Sequence, residues 1–579
     1  MVFLDTETKK EVDGVREKHR MDIAWTCYVR KRPDIKNNTE SWELWDHTFP
    51  LCSYLNILAH PKRPLYIFGH NLFFDLQVSD FFYYFTKWGW VLDFVYESGM
   101  TFILCIRKEK CSIKAVSTTN FFDTSLKELG KMVNLEKMEV DLDSSSPSEI
   151  KNYCHRDVEI IKLAMEMYFD FIQKHELGHF SMTRASQAFS AYRHRFMDHK
   201  IYIHEQPEVI ELERQAYIGG RCECFELGEI KNGPFLSLDV NSMFPYIMKI
   251  VPLPVRLIDY RRDFPLELLQ ENLKRCCAVA EVSLDTDIPL YAVHLNKKTI
   301  FPVGRFRAFL CSALLEEALR RGHLKAIHQI AFYEQGELFT EYVDYFYHLR
   351  WLYKNEGNKI FEAIVKLFLN SLYGKFAQWQ TKTLEVEDIT NDGYYRLETL
   401  NSTTGEWEIE YKLFNKVVVE IGKKPAKNTM IAISAHITEW ARYILWSIIE
   451  GIGVDRVLYC DTDSVKIRKS DILDVLYPID PLRLGALKVE EETSRLTILG
   501  AKSYVTDQGR KLKGVPLGAE TIDENCFEYS SFPKMATHMR ERIMRYHIVE
   551  KITKEIRVEY DKGVVLPSGR VQPFRLTEF

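Results

Sequence analysis

No segment of this 579-residue chain reaches the ~18 uninterrupted apolar residues of a membrane-spanning helix, so no span is expected. The opening residues, MVFLDTETKK, lack the apolar core of a signal peptide, which predicts a protein that is not secreted. The 12 cysteines are unpatterned. CEC at 222–224 and CC at 276–277 lack zinc-site spacing, and the remainder suit reduced thiols in a cytosol-like compartment. No repeat of about 20–50 residues is visible. Nor is there an excess of positive charge: 77 Lys and Arg stand against 82 Asp and Glu, a net −5. That argues against a simple basic coat protein and leaves open an enzyme working on nucleic acid. What is present is ample for large cores, with 46% hydrophobic and 13% aromatic residues. The length predicts about three to five domains.

The stretch LYCDTDSV at 458–465 reads as a buried strand carrying two carboxylates. Residues i and i+2 of a strand share a face, so Asp461 and Asp463 are expected to converge while Cys460 and Thr462 point away. Bare, such a pair raises its own pKa values. A divalent cation reverses the balance, because clustered hard oxygens are what Mg²⁺ takes. A solvated hairpin tip is the competing reading of an isolated D-x-D. A second acidic pair, Asp5 and Glu7, shares a face of the N-terminal strand MVFLDTET. In YIFGHNLFFDLQV an apolar strand, Leu65 to Phe68, runs through Gly69 into His70, Asn71 and Asp75. SSSPSEIKNYCHRD then starts a helix, with Ser146 as N-cap, Pro147 at the first position and Glu149 completing a capping box. Tyr153 and Asp157 follow at i, i+4 on one face.

Further along, AYIGGRCECF places Gly219 and Gly220 after Tyr217, where backbone can approach closely, and Arg221 reads as a phosphate partner. A plain hairpin turn is the alternative. PFLSLDVNSMFPYIMKI reads as a strand, Phe235 to Val240, whose last carboxylate is Asp239; a short helix follows around Pro245. Free N–H groups at such a turn suit a metal bridging to a triphosphate. From Tyr345 a long helical pattern places Lys366, Asn370 and Tyr373 at i, i+4, i+7, with Gly374 closing the run. Lys354 is expected near the same side a little over three turns earlier. A cation for phosphate and a ring for a base suit a nucleotide. Residues 377–428 read as a β-hairpin insertion, with turns at Asn391-Asp392-Gly393 and Thr404-Gly405. ILGAKSYVTDQGRKLKG places Lys502 and Tyr504 two apart on a strand. The segment from Pro533 to Tyr560 reads as a basic helix placed to touch phosphates.

In the N-terminal region the order D-x-E, N-x-x-x-D, Y-x-x-x-D resembles the proofreading 3′–5′ exonuclease domain of family B DNA polymerases. DVNSMFP, KLFLNSLYG, YCDTDS and AKSY resemble that family's polymerase motifs. The YIGG linker and the insertions on both sides of KLFLNSLYG are similar to the protein-primed subgroup of phages and linear plasmids, which starts synthesis from a terminal-protein hydroxyl. The resemblance implies an α/β multidomain protein. An RNase H-like exonuclease domain would be followed by a right-hand polymerase of palm, fingers and thumb, with two insertions in the palm/fingers region. The implied boundaries are 1–180 exonuclease, 181–250 palm, and 251–345 a terminal-protein-contacting insertion. After these come 346–377 fingers, 378–428 the second insertion, 429–533 palm and 534–579 thumb.

By the same resemblance Asp239 and Asp463 would be metal ligands, with Asp461 supporting them. Lys366 and Lys502 would meet phosphates, and Tyr373 would pack on the nascent base pair, with Lys354, Asn370 and Phe244 also at the nucleotide. Asp5, Glu7, Asp75 and Asp157 would bind metal in the exonuclease, and Tyr153 would orient the attacking water. Thr8, His70, Asn71, Phe74, Ser125 and Leu126 would grip a single-stranded 3′ end. Tyr217, Gly219, Gly220, Arg221 and Tyr504 would contact DNA. One departure is Phe244, where the family usually carries Tyr. The implied cofactor is Mg²⁺, with Mn²⁺ as substitute, two ions per site. The implied partners are primer-template DNA, dNTPs and a terminal protein. A monomer in the cytoplasm of a host cell is expected, with an organellar plasmid as the other setting. A primer-independent family B enzyme fits the same motifs. A catalytically silent DNA-binding replication factor is the reading from another class, and the retention of every carboxylate stands against it.

Overall fold

The structure is a computed structural model and describes residues 1–30, 39–141, 144–387, 393–402, 405, 407–523, 525–557 and 560–578. Its N-terminal half is organised by a ten-stranded sheet. Val2–Asp13 runs antiparallel to Arg16–Arg30 and parallel to Leu65–Gly69, which runs parallel to Cys111–Ser117. Parallel strands need cover on both faces. Alternation divides their side chains: Phe3, Phe68 and Val116 meet the helix Pro147–Lys174 through Val158, Ile161 and Met165. Val2, Leu4, Ile67 and Ala115 meet Leu72, Leu76, Phe81 and Phe85 on the other side. The Pro147–Lys174 helix carries the expected capping box from Ser146 and Glu149.

The segment from Pro533 to Tyr560 corrects the expected basic helix. Among its described residues only Met535–Arg540 is helical, and His547–Glu555 is a strand that pairs with Arg16–Arg30 and so extends the N-terminal sheet. HIVEKITKE alternates with period two and is rich in β-branched residues, so strand formation wins over the charge pattern. Its inward residues share the N-terminal core, where Met535 and Met539 pack with Phe73 and Phe82. The Arg545 guanidinium grips Asp80 with two bonds of 3.2 and 3.0 Å, and Gln77 donates to the Ile543 and Tyr546 carbonyls.

A second sheet, ordered Leu487–Thr493, Phe235–Val240, Ser464–Arg468, Val457–Asp461, Cys222–Cys224, is antiparallel throughout. It is backed by Met243–Ile250 and by Ile431–Ile452, a helix apolar on nearly every side and accordingly buried. Residues 253–336 build their own sheet, Leu253–Arg262, Leu324–Gly336, Cys276–Thr286, Val303–Cys311, and the C-terminal strand Arg575–Thr577 completes it in parallel.

The expected single long helix is two. Thr340–Asn355 and Lys359–Ser371 pack side by side, broken where Gly357 takes φ +69 and Asn358 caps the second helix by accepting from Phe361 N–H. Tyr373 and Gly374 lie beyond it in a 3₁₀ turn, Tyr373–Ala377, so Gly374 does not close the helix. The expected hairpin at 377–428 is a four-stranded sheet in which the first strand pairs with the last: Trp379–Val386, Lys416–Pro425, Trp407–Leu413, Tyr395–Leu400. The turn residues expected at Asn391, Asp392 and Thr404 lie outside the described residues. This sheet docks on the N-terminal half through Tyr394, Leu413 and Phe414, which join the core of Phe81 and Phe82. Leu92 N–H donates to the Phe414 carbonyl, and Arg540 pairs with Glu398 at 2.8 Å.

Candidate active sites

Four of the expected acids do meet in the N-terminal half. Asp5 and Glu7 share one face of their strand, just before a β-bulge between Glu7 and Thr8, and their carboxylates and the Cys154 thiol have ligand atoms within 4.8 Å of one another. Asp75 comes from the helix Leu72–Val78 and Asp157 from Pro147–Lys174. Burial, then Asp157, Asp75 and Glu7, push Asp5 well above the ordinary carboxylate range. Burial and Asp157 push Glu7 up to about 7. Asp75 and Asp157 are raised by burial as well. Thr6 donates to Asp75 Oδ1 at 2.7 Å, but Asp75 Oδ2 and Asp157 Oδ1 are buried without a partner. Carboxylates in that condition are strongly disfavoured unless a cation joins them.

One cation is already there, and the sequence carried no signal for it. Lys137, on the loop between the Leu126–Met132 and Pro147–Lys174 helices, pairs with Asp157 Oδ2 and sits 4.0 Å over the Tyr153 ring.

Around this cluster, His70 shares a hydrogen bond with the Thr118 hydroxyl at 3.0 Å, and burial holds it down to about 4, hence neutral at pH 7. Asn71 is exposed at φ 62, and its N–H donates to Ser117. Thr8 pairs with His19 at 2.8 Å. Phe74 is half-buried. Ser125 is the exposed N-cap of the Leu126–Met132 helix, and Leu126 packs into the core.

The second cluster corrects the geometry expected of LYCDTDSV. Val457–Asp461 and Ser464–Arg468 are separate strands, and Thr462 and Asp463 form the turn between them, with Thr462 at φ +63. Asp463 N–H donates to the Asp461 carbonyl at 2.7 Å. The two acids therefore diverge in partners. Asp461 is held by Lys502 at 2.7 and 2.9 Å. Asp463 faces Asp239, whose neighbour Val240 donates its N–H to the Asp463 carbonyl at 2.8 Å. Burial and Asp239 push Asp463 up to about 7, and among the described residues no other side chain donates to it. Asp239 is raised by burial, opposed by Lys488 at 3.1 Å. Lys488 and Glu490 were not foreseen, although they share a face of the Leu487–Thr493 strand and the i, i+2 spacing was legible. Asp239, Asp461, Asp463 and Glu490, with Lys466, Lys502, Lys511 and Tyr504, line a cleft of about 370 Å³.

Lys502 is on the turn before the Ser503–Thr506 strand, at φ +62, and not on the strand with Tyr504. That is what lets it reach back to Asp461. Gly220 makes the expected close approach: a Cβ there would run into Thr462 of the hairpin turn, whose N–H donates to the Arg221 carbonyl at 2.6 Å. Gly219 is open, and Tyr217 half-buried. Arg221 is not available to phosphate. It is 1% exposed, paired with Glu223 at 2.6 Å and stacked 4.1 Å over Phe301 and 4.8 Å over Trp446.

Phe244 lies in the first turn of the Met243–Ile250 helix, and its ring stacks on Tyr373, centroids 4.7 Å apart and planes at 7°. Lys366 and Asn370 are exposed on the Lys359–Ser371 helix, and the charge of Lys366 is felt at Asp239. Lys354 is on the other helix, lining a small cleft with Asn241, Tyr347 and Arg350.

Residues 94–453 match the family model for DNA polymerase type B, organellar and viral. The DNA polymerase of Bacillus phage Nf is 26% identical over 381 residues, 62% of this chain and 60% of that protein. The DNA-directed DNA polymerase of Enterobacteria phage PRD1 is 29% identical over 315 residues, 52% of this chain and 51% of that protein. The chain thus spans about 60% or less of the length of these two curated relatives. A solved structure, Phi29 DNA polymerase complexed with primer-template DNA and incoming nucleotide substrates, superposes with a TM-score of 0.71 at 16% identity, over 96% of this chain and 99% of that one. At that identity the likeness is one of fold, an exonuclease domain followed by palm, fingers and thumb. The family match, by contrast, covers more than half of the sequence and includes the Asp239 strand and the Tyr373 turn, so the chain belongs to the organellar and viral type B DNA polymerases.

Proposed function

We propose that the protein is a DNA-directed DNA polymerase with 3′–5′ proofreading, replicating a linear genome inside a host cell from a terminal-protein primer. The observation that carries the synthetic activity is Asp463, in the turn that leads into the strand paired with that of Asp239, facing Asp239, raised to about 7 and, among the described residues, without a side-chain donor. The donor set is all hard oxygen, which fits Mg²⁺, with Mn²⁺ as substitute. Asp239 and Asp463 would hold it in the palm; Asp5 and Glu7, with Asp75 and Asp157 and the orphaned buried oxygens of those two, would hold it in the exonuclease. Two bound ions supply electrostatic stabilisation to the attacking and leaving oxygens of a phosphodiester.

The chain's own groups do the positioning. Lys502, anchored on Asp461, and Lys366 meet phosphates of primer and triphosphate, while the stacked Phe244 and Tyr373 rings form a floor beneath the incoming nucleotide. In the exonuclease, Tyr153 orients the water. Lys137, held by Asp157 and the Tyr153 ring, places positive charge beside the developing phosphorane. The 379–425 sheet, docked on the N-terminal core and paired to the C-terminal segment through Arg540 and Glu398, closes a loop of contacts that would hold DNA during strand displacement. Residues 251–345 are the proposed contact for the terminal protein, and the enzyme acts as a monomer.

The test is incubation with Mg²⁺ and dNTPs on a single-stranded circle, primed or unprimed, with trimming of a single strand followed in the absence of dNTPs. Long products only with primer, and trimming without dNTPs, are expected. Products on the unprimed circle would instead favour a primer-independent enzyme.

A further inference from the structure

The palm already holds a cation against one of its two proposed metal ligands. Lys488 stands directly opposite Asp239 in the antiparallel pairing of Leu487–Thr493 with Phe235–Val240. Opposite residues share a face of the sheet, with Cβ atoms about 4.5–5.5 Å apart, so a lysine there meets the carboxylate. Its ammonium lies 3.1 Å from Asp239 Oδ2. The neighbouring lysines are fastened more firmly. Lys502 makes two bonds to Asp461, of 2.7 and 2.9 Å, and its backbone N–H donates to the Tyr459 hydroxyl. Lys466 has a buried side chain, held by Glu491 at 3.2 Å and by the Tyr504 ring at 4.5 Å. The Lys488 side chain is 31% exposed, and among the described residues its one ion pair is that with Asp239.

Asp239 and Asp463 together offer four carboxylate oxygens, few for two ions that each take about six ligands. Lys488 occupies one of the four. A second ion must therefore displace the ammonium, and a partly exposed pair with a single contact gives way at small cost. A bare hydrated ion gains little by the exchange. An ion that arrives with a triphosphate brings phosphate oxygens as further ligands, and these tip the balance. We infer that Lys488 is the place-holder for the second palm cation: it keeps that place on Asp239 while no nucleotide is bound and yields it to the ion that comes with the triphosphate. Assembly of the ion pair is thereby tied to the arrival of substrate. The inference rests on the polymerase reading above and adds to it a residue that sets when the palm becomes competent.

The experiment titrates nucleotide-free protein with Mn²⁺ and counts bound ions by electron paramagnetic resonance. Every sample carries Asp5→Ala and Glu7→Ala, and binding lost on adding Asp239→Asn is assigned to the palm. Lys488→Gln is expected to tighten the weaker palm ion by about threefold or more, the scale of a partly exposed ion pair. Lys488→Arg, which keeps the charge, should bind as the parent does. The Mg²⁺ concentration for half-maximal nucleotide addition should fall by a similar factor in Lys488→Gln. With Asp5 and Glu7 intact, Lys488→Gln should trim a single strand at the wild-type rate, which shows that it is folded. Unchanged palm binding in Lys488→Gln would overturn the inference. So would weaker binding, since Lys488 would then support the metal ligand and not compete for it. If Asp239→Asn removed no ion, the palm metal site would fall and the place-holder with it. Tighter palm binding in Lys488→Gln, without nucleotide addition even by wild type, would refute only the polymerase reading.

Discussion

Gly220 tests how the palm acids are held. A Cβ at this position would lie 2.9 Å from Thr462 Cγ2, 3.0 Å from its Oγ1 and 3.2 Å from its Cα, whereas 3.4–4 Å is ordinary contact. The turn must therefore retreat by roughly half an ångström. Rotation of the Thr462 side chain does not suffice, because the Cα is itself too close. The retreat cannot stay local either. Thr462 N–H is bonded to Arg221, Asp463 N–H to Asp461, and the Asp463 carbonyl to Val240 on the Asp239 strand. The displacement passes to the Asp463 carboxylate, which faces Asp239.

Misplacing reacting groups by about 1 Å costs on the order of 10²-fold, so half that distance in Gly220→Ala predicts a loss of about 10- to 100-fold in the single-turnover rate of correct nucleotide addition. Trimming of a single strand is the internal control, since its acids lie on a different sheet and on the helices packed against it, and it should stay within about twofold. Gly219→Ala, with nothing within 4 Å, should leave that rate unchanged, and any effect should appear in DNA affinity. Thr462→Gly removes two of the three contacts and suits φ +63, so it should recover part of the rate in the Gly220→Ala background. Full-speed extension by Gly220→Ala, or an equal rate loss in Gly219→Ala, would refute this account of the hairpin.

The remaining expectations are shorter. Asp5→Ala with Glu7→Ala should abolish trimming and spare extension, and Asp463→Ala should do the reverse, each by on the order of 10³-fold or more, read by paired assays on one preparation. Phe244→Val should admit ribonucleotides by opening the Phe244–Tyr373 floor; a dNTP/rNTP kcat/KM ratio within about threefold of wild type, ~0.7 kcal/mol, would return Phe244 to ordinary packing. Phe414→Ala should loosen the 379–425 sheet from the N-terminal core by up to about 3 kcal/mol and shorten products on a primed circle, with single-nucleotide addition kept.

The carboxylates were legible because they obey simple periodicities: i, i+2 on a strand for Asp5 and Glu7, i, i+4 on a helix for Tyr153 and Asp157. The turn at Asp461–Asp463 was not, because it puts a β-branched threonine at positive φ, where local preference argues against it. Such violations concentrate where function over-determines the backbone. Arg221 misled for a different reason. Its cation invited a phosphate, yet Glu223 two residues on, sharing its face, was the nearer and readable partner. The Pro533–Tyr560 segment was misread through its charge, although its apolar alternation pointed to a strand. Lys137 had no local signal at all: a lone lysine in a loop acquires meaning only when the fold closes it onto Asp157.

The two acid clusters also balance their charge differently, and this has a measurable consequence. In the palm, Lys488 neutralises Asp239 and Lys502 neutralises Asp461, so Asp463 alone is left in want of a cation. In the N-terminal cluster Lys137 pairs with Asp157, and all four acids keep raised pKa values. A carboxyl whose folded pKa is raised contributes stability that is complete below the unfolded value and lost as pH climbs through the folded one. For Glu7 and Asp463 that window runs from about 4 to about 7. Metal-free protein should therefore lose Tm as pH rises across this range, and Mg²⁺ should restore more at pH 7.5 than at pH 5. Because the deficit is concentrated on Asp5, Glu7, Asp75 and Asp157, Asp5→Asn should flatten the metal-free profile more than Asp463→Asn. Scanning calorimetry at both pH values, with and without Mg²⁺, decides it: a larger flattening by Asp463→Asn would show that the palm is the less compensated site.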